Sequence, residues 1–267
     1  QLGGEKREMT PFFSDIQGFS TISEGLTPEE LVQLLNEYLT AMCDLISSYH
    51  GTIDKFEGDA IIAFWGAPLE LPNHATVACH AAIDMQKKNE EMRKTLREQN
   101  RPMLYTRMGM SSGPVVVGNM GSADRMDYTM MGDVVNLAAR LEGVNKFYQT
   151  FTMISQSTYE LAKDDIDTRQ LDVIRVVGKK EPIQVYEVLE RKNQTSSEKS
   201  GVVEKYLKAL KLYQERNFAD ASKEFEKVLA IDPDDGPSKT YVKRCGVFLE
   251  TPPEKDWDGV YTFTEKG

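Results

Sequence analysis

The chain has 267 residues, 40% of them hydrophobic and 28% charged, with a net charge of −10. That is the composition of an ordinary globular protein, long enough for one good-sized core or a core plus a smaller module. The acidic balance argues against non-specific nucleic-acid binding, although local cations can still hold an anionic ligand. No run of about 18 apolar residues offers a membrane-spanning helix, and no signal peptide is visible. The chain opens on Gln1 rather than Met. It therefore reads as a fragment, with any sensor or membrane span lying upstream. Cys43, Cys79 and Cys245 lack metal-ligand spacing and read as free thiols of a reducing compartment. His74 and His80, six apart on one predicted helix, do not share a face and read as ordinary helix residues.

Residues 1–8 carry no fold signal, and Met9 to Ile16 predicts a strand closed by Gly18-Phe19-Ser20. Thr27, Pro28 and Glu30 then form a capping box with proline in the first helical turn. Behind them an apolar stripe runs at helical spacing from Leu31 to Tyr49, stopped by Gly51. Thr52 to Trp65 predicts a hairpin around Glu57-Gly58. A two-residue loop there pairs Phe56 with Asp59 and Lys55 with Ala60, which sends Lys55 and Asp59 to opposite faces of the sheet. Pro72 to about Glu98 is a second long helix. Leu104 to Val117 is strand-like but broken at Gly113-Pro114, Tyr128 to Met131 is a short strand, and Gly132 opens a helix to about Tyr148. Phe151 to Ser155, a short helix to Ala162, and a strand pair Thr168 to Val177 and Ile183 to Leu189 complete the first part. The order predicts an α+β, ferredoxin-like βαββαβ core with extra C-terminal strands. The expected divisions are a domain over 1–191, a polar linker over 192–201 and a helical tail over 202–267. The tail's spacing of Tyr206, Ala209, Leu210, Tyr213, Ala221 and Phe225 is tetratricopeptide-like. One such repeat cannot bury its own faces and should dock on the main domain, on its copy in an oligomer or on a partner, and Trp257, Tyr261 and Phe263 are apolar enough to tuck back.

Asp15 ends the first strand, and Asp59 is expected to begin the second arm of the hairpin. Carboxylates at adjacent strand ends suit hard divalent cations, which take oxygen ligands. Asn136 and Arg140, four apart, share one face of an otherwise apolar, small-residue helix, a pattern suited to a sugar and a phosphate.

Three stretches together resemble the class III nucleotidyl cyclases: Phe13-Ser14-Asp15-Ile16-Gln17-Gly18-Phe19-Ser20, Lys55-Phe56-Glu57-Gly58-Asp59, and Arg125 through Glu142, which contains Tyr128-Thr129-Met130-Met131-Gly132-Asp133-Val134-Val135-Asn136 and Arg140. The likeness covers about Met9 to Leu189 in the right order. The tail resembles the helical segment that follows the catalytic domain in bacterial members, which places the catalytic part in the cytoplasm. The resemblance implies an adenylyl cyclase that converts ATP to 3′,5′-cyclic AMP and pyrophosphate. It implies two Mg²⁺ or Mn²⁺ ions per site, held by Asp15, Asp59 and the Ile16 carbonyl. Ile16, Gly18 and Phe19 are implied to line the substrate, Asn136 to orient the ribose, Arg140 to stabilise the phosphates and Lys179, with Lys180 as its near alternative, to hold the terminal ones. The partner implied is a second copy of the chain, two active sites being shared across the homodimer so that a monomer is inert.

Base choice has a physical argument. Adenine offers an acceptor at N1 and a donor at its 6-amino group, and guanine offers the reverse. Lys55 has only donors and the Thr129 hydroxyl can accept, which suits adenine. In the resembled family, guanylyl members carry Glu and Cys or a similar residue at the matching positions, so guanylyl cyclase is the alternative reading. Pro114 stands where some relatives have an Arg after the strand glycine, which leaves phosphate binding to other cations or weakens it. A non-catalytic binding module would be expected to lack at least one of the metal, ribose or phosphate residues, and all are present. A cyclic-dinucleotide synthase would need a Gly-Gly-Asp-Glu-Phe turn that is absent, and no P-loop occurs.

Overall fold

Residues 60–65, Ala-Ile-Ile-Ala-Phe-Trp, contain no polar side chain because both faces of their strand are covered. The computed structural model describes residues 3–264 and sets this strand near the middle of the fold. The elements run β1 (Gly3–Ile16), α1 (Phe19–Glu24), α2 (Pro28–Ser48), β2 (Thr52–Glu57), β3 (Ala60–Trp65), α3 (His74–Glu98), β4 (Thr106–Met110), β5 (Gly113–Ser122), β6 (Arg125–Met131), α4 (Asp133–Tyr148), β7 (Thr152–Ser155), α5 (Gln156–Ala162), β8 (Ile166–Arg175), β9 (Ile183–Arg191), α6 (Ser197–Gln214), α7 (Phe218–Ile231), α8 (Gly236–Glu250) and β10 (Tyr261–Thr262). The main sheet is ordered β10-β8-β9-β7-β4-β1-β3-β2. Its β4-β1-β3-β2 portion is antiparallel throughout and is the expected ferredoxin-like core, the extra strands being added beyond β4.

The odd residues of β3, Ile61, Ala63 and Trp65, pack with Tyr38, Met42 and Ile46 of α2 and with the alanine-rich face of α3. The even ones, Ile62 and Phe64, pack instead with Met9, Val115, Val117 and Met130, under an arm formed by β5 and β6. The capping box at Thr27 and Glu30 is present in both directions. His74 is a core residue bonded to the Thr10 hydroxyl at 2.7 Å, and the three cysteines are free.

Four expectations change. The first strand begins at Gly3, not Met9, because Gly3 to Met9 pairs with β5 across a charged, solvent-facing stretch that carries no apolar alternation. The short helix α1 follows Gly18, which sits in the left-handed region at φ 64°. The hairpin pairs Glu57 with Ala60 and Lys55 with Ile62, so Asp59 lies in the turn beside Gly58 rather than in the second arm. The polar stretch 192–201 is only half a loop. Asp167 binds the backbone of Asn193 and Thr195, and Ser196 then caps α6, which starts at Ser197.

The tail shares a core with the sheet. Leu141, Val144 and Tyr148 of α4 and Leu171 and Ile174 of β8 lie in one cluster with Tyr206, Leu210, Phe225 and Tyr241. Two buried ion-pair nodes tie the layers together. Arg169 of β8 is 1% exposed and reaches Asp235, which caps α8, at 2.7 Å and Glu187 at 2.7 Å. Arg244 of α8 reaches Asp172 at 2.6 Å, and Tyr148 of α4 donates to the same carboxylate. Phe263 is buried and β10 pairs with β8, so the last aromatics do tuck back.

Asp235 gives this docking a pH dependence. Burial alone would raise its pKa, but the Arg169 charge and the Ser238 and Arg169 hydrogen bonds outweigh that and hold the carboxyl below its ordinary value. Its stabilisation is therefore complete above the unfolded-state pKa of ~4 and drains away as pH falls through the lower folded value. Melting temperature should fall steeply below about pH 4. In Asp235→Asn it should be lower already at pH 7, since a broken buried pair costs about 3–5 kcal/mol. The variant's further drop between pH 5 and 3 should be smaller, and equal acid slopes would remove Asp235 from the account.

Candidate functional site

β1 alternates, so Phe12, Ser14 and Ile16 face the α2/α3 side while Phe13 and Asp15 face α4. Arg107 is the cross-strand partner of Asp15 and shares its face. On that face α4 lies unusually close to β4. A Cβ on Gly109 would sit 2.2 Å from the Glu142 nitrogen and 2.5 Å from the Ala138 oxygen, so only glycine permits the approach. The approach brings the Glu142 carboxyl to Asp15. Burial, then the Asp15 hydrogen bond and charge, push Glu142 well above the ordinary carboxylate range. Burial also raises Asp15, with the Asp59 charge adding and the Glu142 hydrogen bond and Arg107 opposing. Asp59 closes the group, its Oδ2 accepting from the Ile16 N–H at 2.7 Å.

Three carboxyls thus crowd around one cation, and Asp15 Oδ1 is buried without a hydrogen-bond partner. The donor set is all oxygen, which fits a hard divalent cation. Among the described residues no three His, Cys, Asp or Glu side chains form a ready-made cage.

The remaining expected residues gather elsewhere. Gly18 and Phe19 open α1 directly after β1. Asn136 is exposed on α4, and Arg140 donates to the Val177 carbonyl in the loop between β8 and β9. In the same loop Lys179 pairs with Asp133 at the start of α4, 2.9 Å away. Arg140 and Lys179 therefore meet at the β8–β9 loop beside the start of α4, while Lys180 offers its carbonyl to Arg175. Arg140 precedes Glu142 by two residues, so it points roughly 200° away from the Asp15 side of the helix. Thr129 of β6 donates to Asp54 at 2.6 Å, and Lys55 Nζ lies 3.9 Å from the other Asp54 oxygen. Among the described residues no hydrogen bond or ion pair joins Asp15 or Asp59 to Lys55, Thr129, Asn136, Arg140 or Lys179. One chain presents two separate half-sets.

Three neighbours of these residues escaped the sequence reading. Arg107 is the only charged residue between Leu104 and Val117, which was a usable signal. Glu142 is the lone acid in the apolar half of its helix. Asp54, beside Lys55, carried no signal because its position depends on a β-bulge: the register jumps between Ile53 and Lys55 and leaves Asp54 out of the ladder.

The fold and the paired carboxylates define a class of protein, and comparison agrees. The profile of the family described as "Adenylate and Guanylate cyclase catalytic domain" matches residues 4–190. The chain belongs to that family. Adenylate cyclase 1 of Rhizobium meliloti is 38% identical over 184 residues, covering 69% of this chain and 28% of that protein, so the chain spans little more than a quarter of the relative's length. Among solved structures, the adenylyl cyclase CyaB from P. aeruginosa matches with a TM-score of 0.67 at 39% identity, over 73% of this chain and 100% of that one. The guanylyl cyclase Cya2 matches with the same TM-score of 0.67 at 35% identity, over 72% and 97%. One backbone thus serves cyclases named for either base, and side chains have to make the distinction. No described helix is long and apolar enough to cross a membrane.

Proposed function

We propose that this chain is the catalytic part of an adenylyl cyclase that converts ATP to 3′,5′-cyclic AMP and pyrophosphate at two sites shared across a homodimer. The observation that carries the reading is the grouping of donor-only Lys55 with the Thr129 hydroxyl around Asp54. That pair complements the N1 acceptor and 6-amino donor of adenine. Asp15 and Asp59 would hold two Mg²⁺ or Mn²⁺ ions with help from the Ile16 carbonyl. When bound, such ions supply Lewis-acid charge at the triphosphate and lower the pKa of the ribose 3′-hydroxyl. Ile16, Gly18 and Phe19 would line the triphosphate. Asn136 orients the ribose so that its 3′-oxygen is in line with the α-phosphorus. Arg140 carries positive charge to the phosphates as negative charge moves onto the departing pyrophosphate. Lys179, 41% exposed and paired only with the more exposed Asp133, can swing to the terminal phosphates. Arg107 would be a further cation on the carboxylate side, where Pro114 supplies none.

The two half-sets support the homodimer. A two-fold axis brings Asp15 and Asp59 of one copy to Lys55, Thr129, Asn136 and Arg140 of the other. An exposed apolar surface supports this: Val116 and Met131 are cross-strand partners on the arm, 41% and 60% exposed, and Phe56 on β2 is 48% exposed. Residues 1–191 are the proposed catalytic unit, and the tetratricopeptide-like tail from 202 onward braces it.

The test is turnover of ATP and GTP by the purified dimer with Mg²⁺ and with Mn²⁺. Cyclic AMP should form in preference to cyclic GMP. Lys55→Glu combined with Thr129→Cys should lower the ATP:GTP ratio of kcat/KM by at least tenfold, since mismatched buried polar pairs cost about that or more. Turnover of neither nucleotide with either metal would end the enzyme reading. An unchanged ratio in the double variant would end the base assignment alone.

A further inference from the structure

A threonine hydroxyl is an ambiguous reader of a purine. It has one proton to donate and two lone pairs to accept with, and left free it turns to suit either a 6-amino group or a 6-oxo group. Thr129 is not free in this structure. Its Oγ1 donates to Asp54 Oδ2 at 2.6 Å, so the hydroxyl's single proton is committed. The Asp54 side chain is 3% exposed, shielded from water that could compete for that proton. Its other oxygen, Oδ1, is buried and lacks a hydrogen-bond partner, and Lys55 Nζ stands 3.9 Å from it. The bulge in β2 makes this possible, because a regular ladder would pair Asp54 with β3 and alternate it away from Lys55.

We propose that Asp54 is a specificity-determining positioning residue, which fixes the Thr129 hydroxyl as an acceptor and draws the Lys55 ammonium to its side, so that the pair accepts adenine and rejects guanine. This rests on the reading of Lys55 and Thr129 as the base-contacting pair. Asp54 itself touches no base. With the proton committed, Thr129 turns only lone pairs to the ligand. They accept from an adenine 6-amino group and repel a guanine O6. Asparagine at 54 is nearly isosteric but brings an NH₂ that can donate to Thr129, which frees the hydroxyl to donate in turn.

The experiment compares Asp54→Asn, Thr129→Val and the double variant in the full chain, reading kcat and KM for ATP and GTP. Asp54→Asn should lower the ATP:GTP ratio of kcat/KM at least about tenfold, with the larger part in KM. In the Thr129→Val background it should add little, because the two act through one hydroxyl. If Thr129→Val alone leaves the ratio unchanged, the base-contact reading falls and this proposal with it. If Thr129→Val shifts the ratio but Asp54→Asn slows ATP and GTP equally, or the two effects simply multiply, only the role of Asp54 falls. A second measurement uses the unaltered protein, so a folding defect in a variant cannot obscure the result. Purine riboside triphosphate and its 6-methoxy analogue both keep the N1 acceptor for Lys55, but the analogue puts an acceptor at position 6. The 6-methoxy compound should inhibit at least about tenfold more weakly. Equal or stronger inhibition would mean that the Thr129 proton is free.

Discussion

Asp59→Ala should leave a folded, dimeric chain whose turnover of ATP is lower by about 10³-fold or more, the loss of several kcal/mol of transition-state stabilisation. The side chain is half-buried in a hairpin turn and its one protein hydrogen bond is to the Ile16 N–H, so folding does not depend on it heavily. Asn136→Ala, on the exposed face of α4, should be similarly inert and similarly folded. Mixed in equal amounts and allowed to exchange, the two dead variants should recover activity. Half of the dimers are then mixed, and each carries one site with both defects and one with neither, which limits recovery to about a quarter of the unaltered rate. Titrating one variant into the other while following cyclic AMP gives the curve directly. Recovery that stays at the background of the separate variants, in samples shown to exchange subunits, would place both residues in a single-chain site. That outcome would contradict the roughly 200° separation of Arg140 from Glu142 around α4.

Ending the chain at Lys192 should remove the catalytic unit's ability to fold, although the family match stops at residue 190. The cut uncovers Tyr148, Leu171 and Ile174, each essentially inaccessible in the intact chain. At ~1.5–3 kcal/mol per side chain, those three alone give up roughly 5 kcal/mol or more. A whole domain of this kind commonly has only about 5–15 kcal/mol to lose. All three uncovered residues belong to helix α4 or strand β8, which hold Arg140 and the Lys179 loop, so the basic half of the site should disorder first. Circular dichroism and a melting curve of the truncated chain would show it. A cooperative transition near that of the full chain would mean that the tail is an appendage.

What could be read in advance was what local chemistry dictates. Thr27, Pro28 and Glu30 cap a helix through contacts within four residues, and the structure reproduces them. The alternation in β1 and the apolar run of β3 placed those strands because burial on known faces leaves a mark in the sequence. Asp15, Asp59, Asn136 and Arg140 stood out as polar residues interrupting apolar elements. What stayed hidden depends on distant partners. The pairing of Gly3 to Met9 with β5 leaves no apolar pattern, since that edge is exposed and held by backbone bonds. The hairpin turn falls one residue later than expected, and the bulge at Asp54, whose side chain meets Thr129 75 residues away, left no mark in the sequence. The start of α6 at Ser197 was masked by a polar composition that suits a linker and a solvated first turn equally well. Of the expected docking places for the tail, the structure has the main domain, with which it shares one core.

Strand β1 binds β5 through Gly3 to Met9, β3 through Thr10 to Ser14 and β4 through Phe12 to Ile16. Its partners reach as far along the chain as Asn119. During synthesis the strand emerges before all of these partners, and β5 follows about a hundred residues later, roughly 5–20 s at ordinary elongation rates. Until β3 is made, Phe12 and Phe13 are apolar and unpaired beside an open strand edge, and Ile16 stays so until β4. Such a segment is a natural client for a ribosome-associated chaperone and a nucleus for aggregation when the chain is overproduced. Slowing translation between β1 and β5 should therefore reduce the soluble yield, whereas slowing it after Met131 should not.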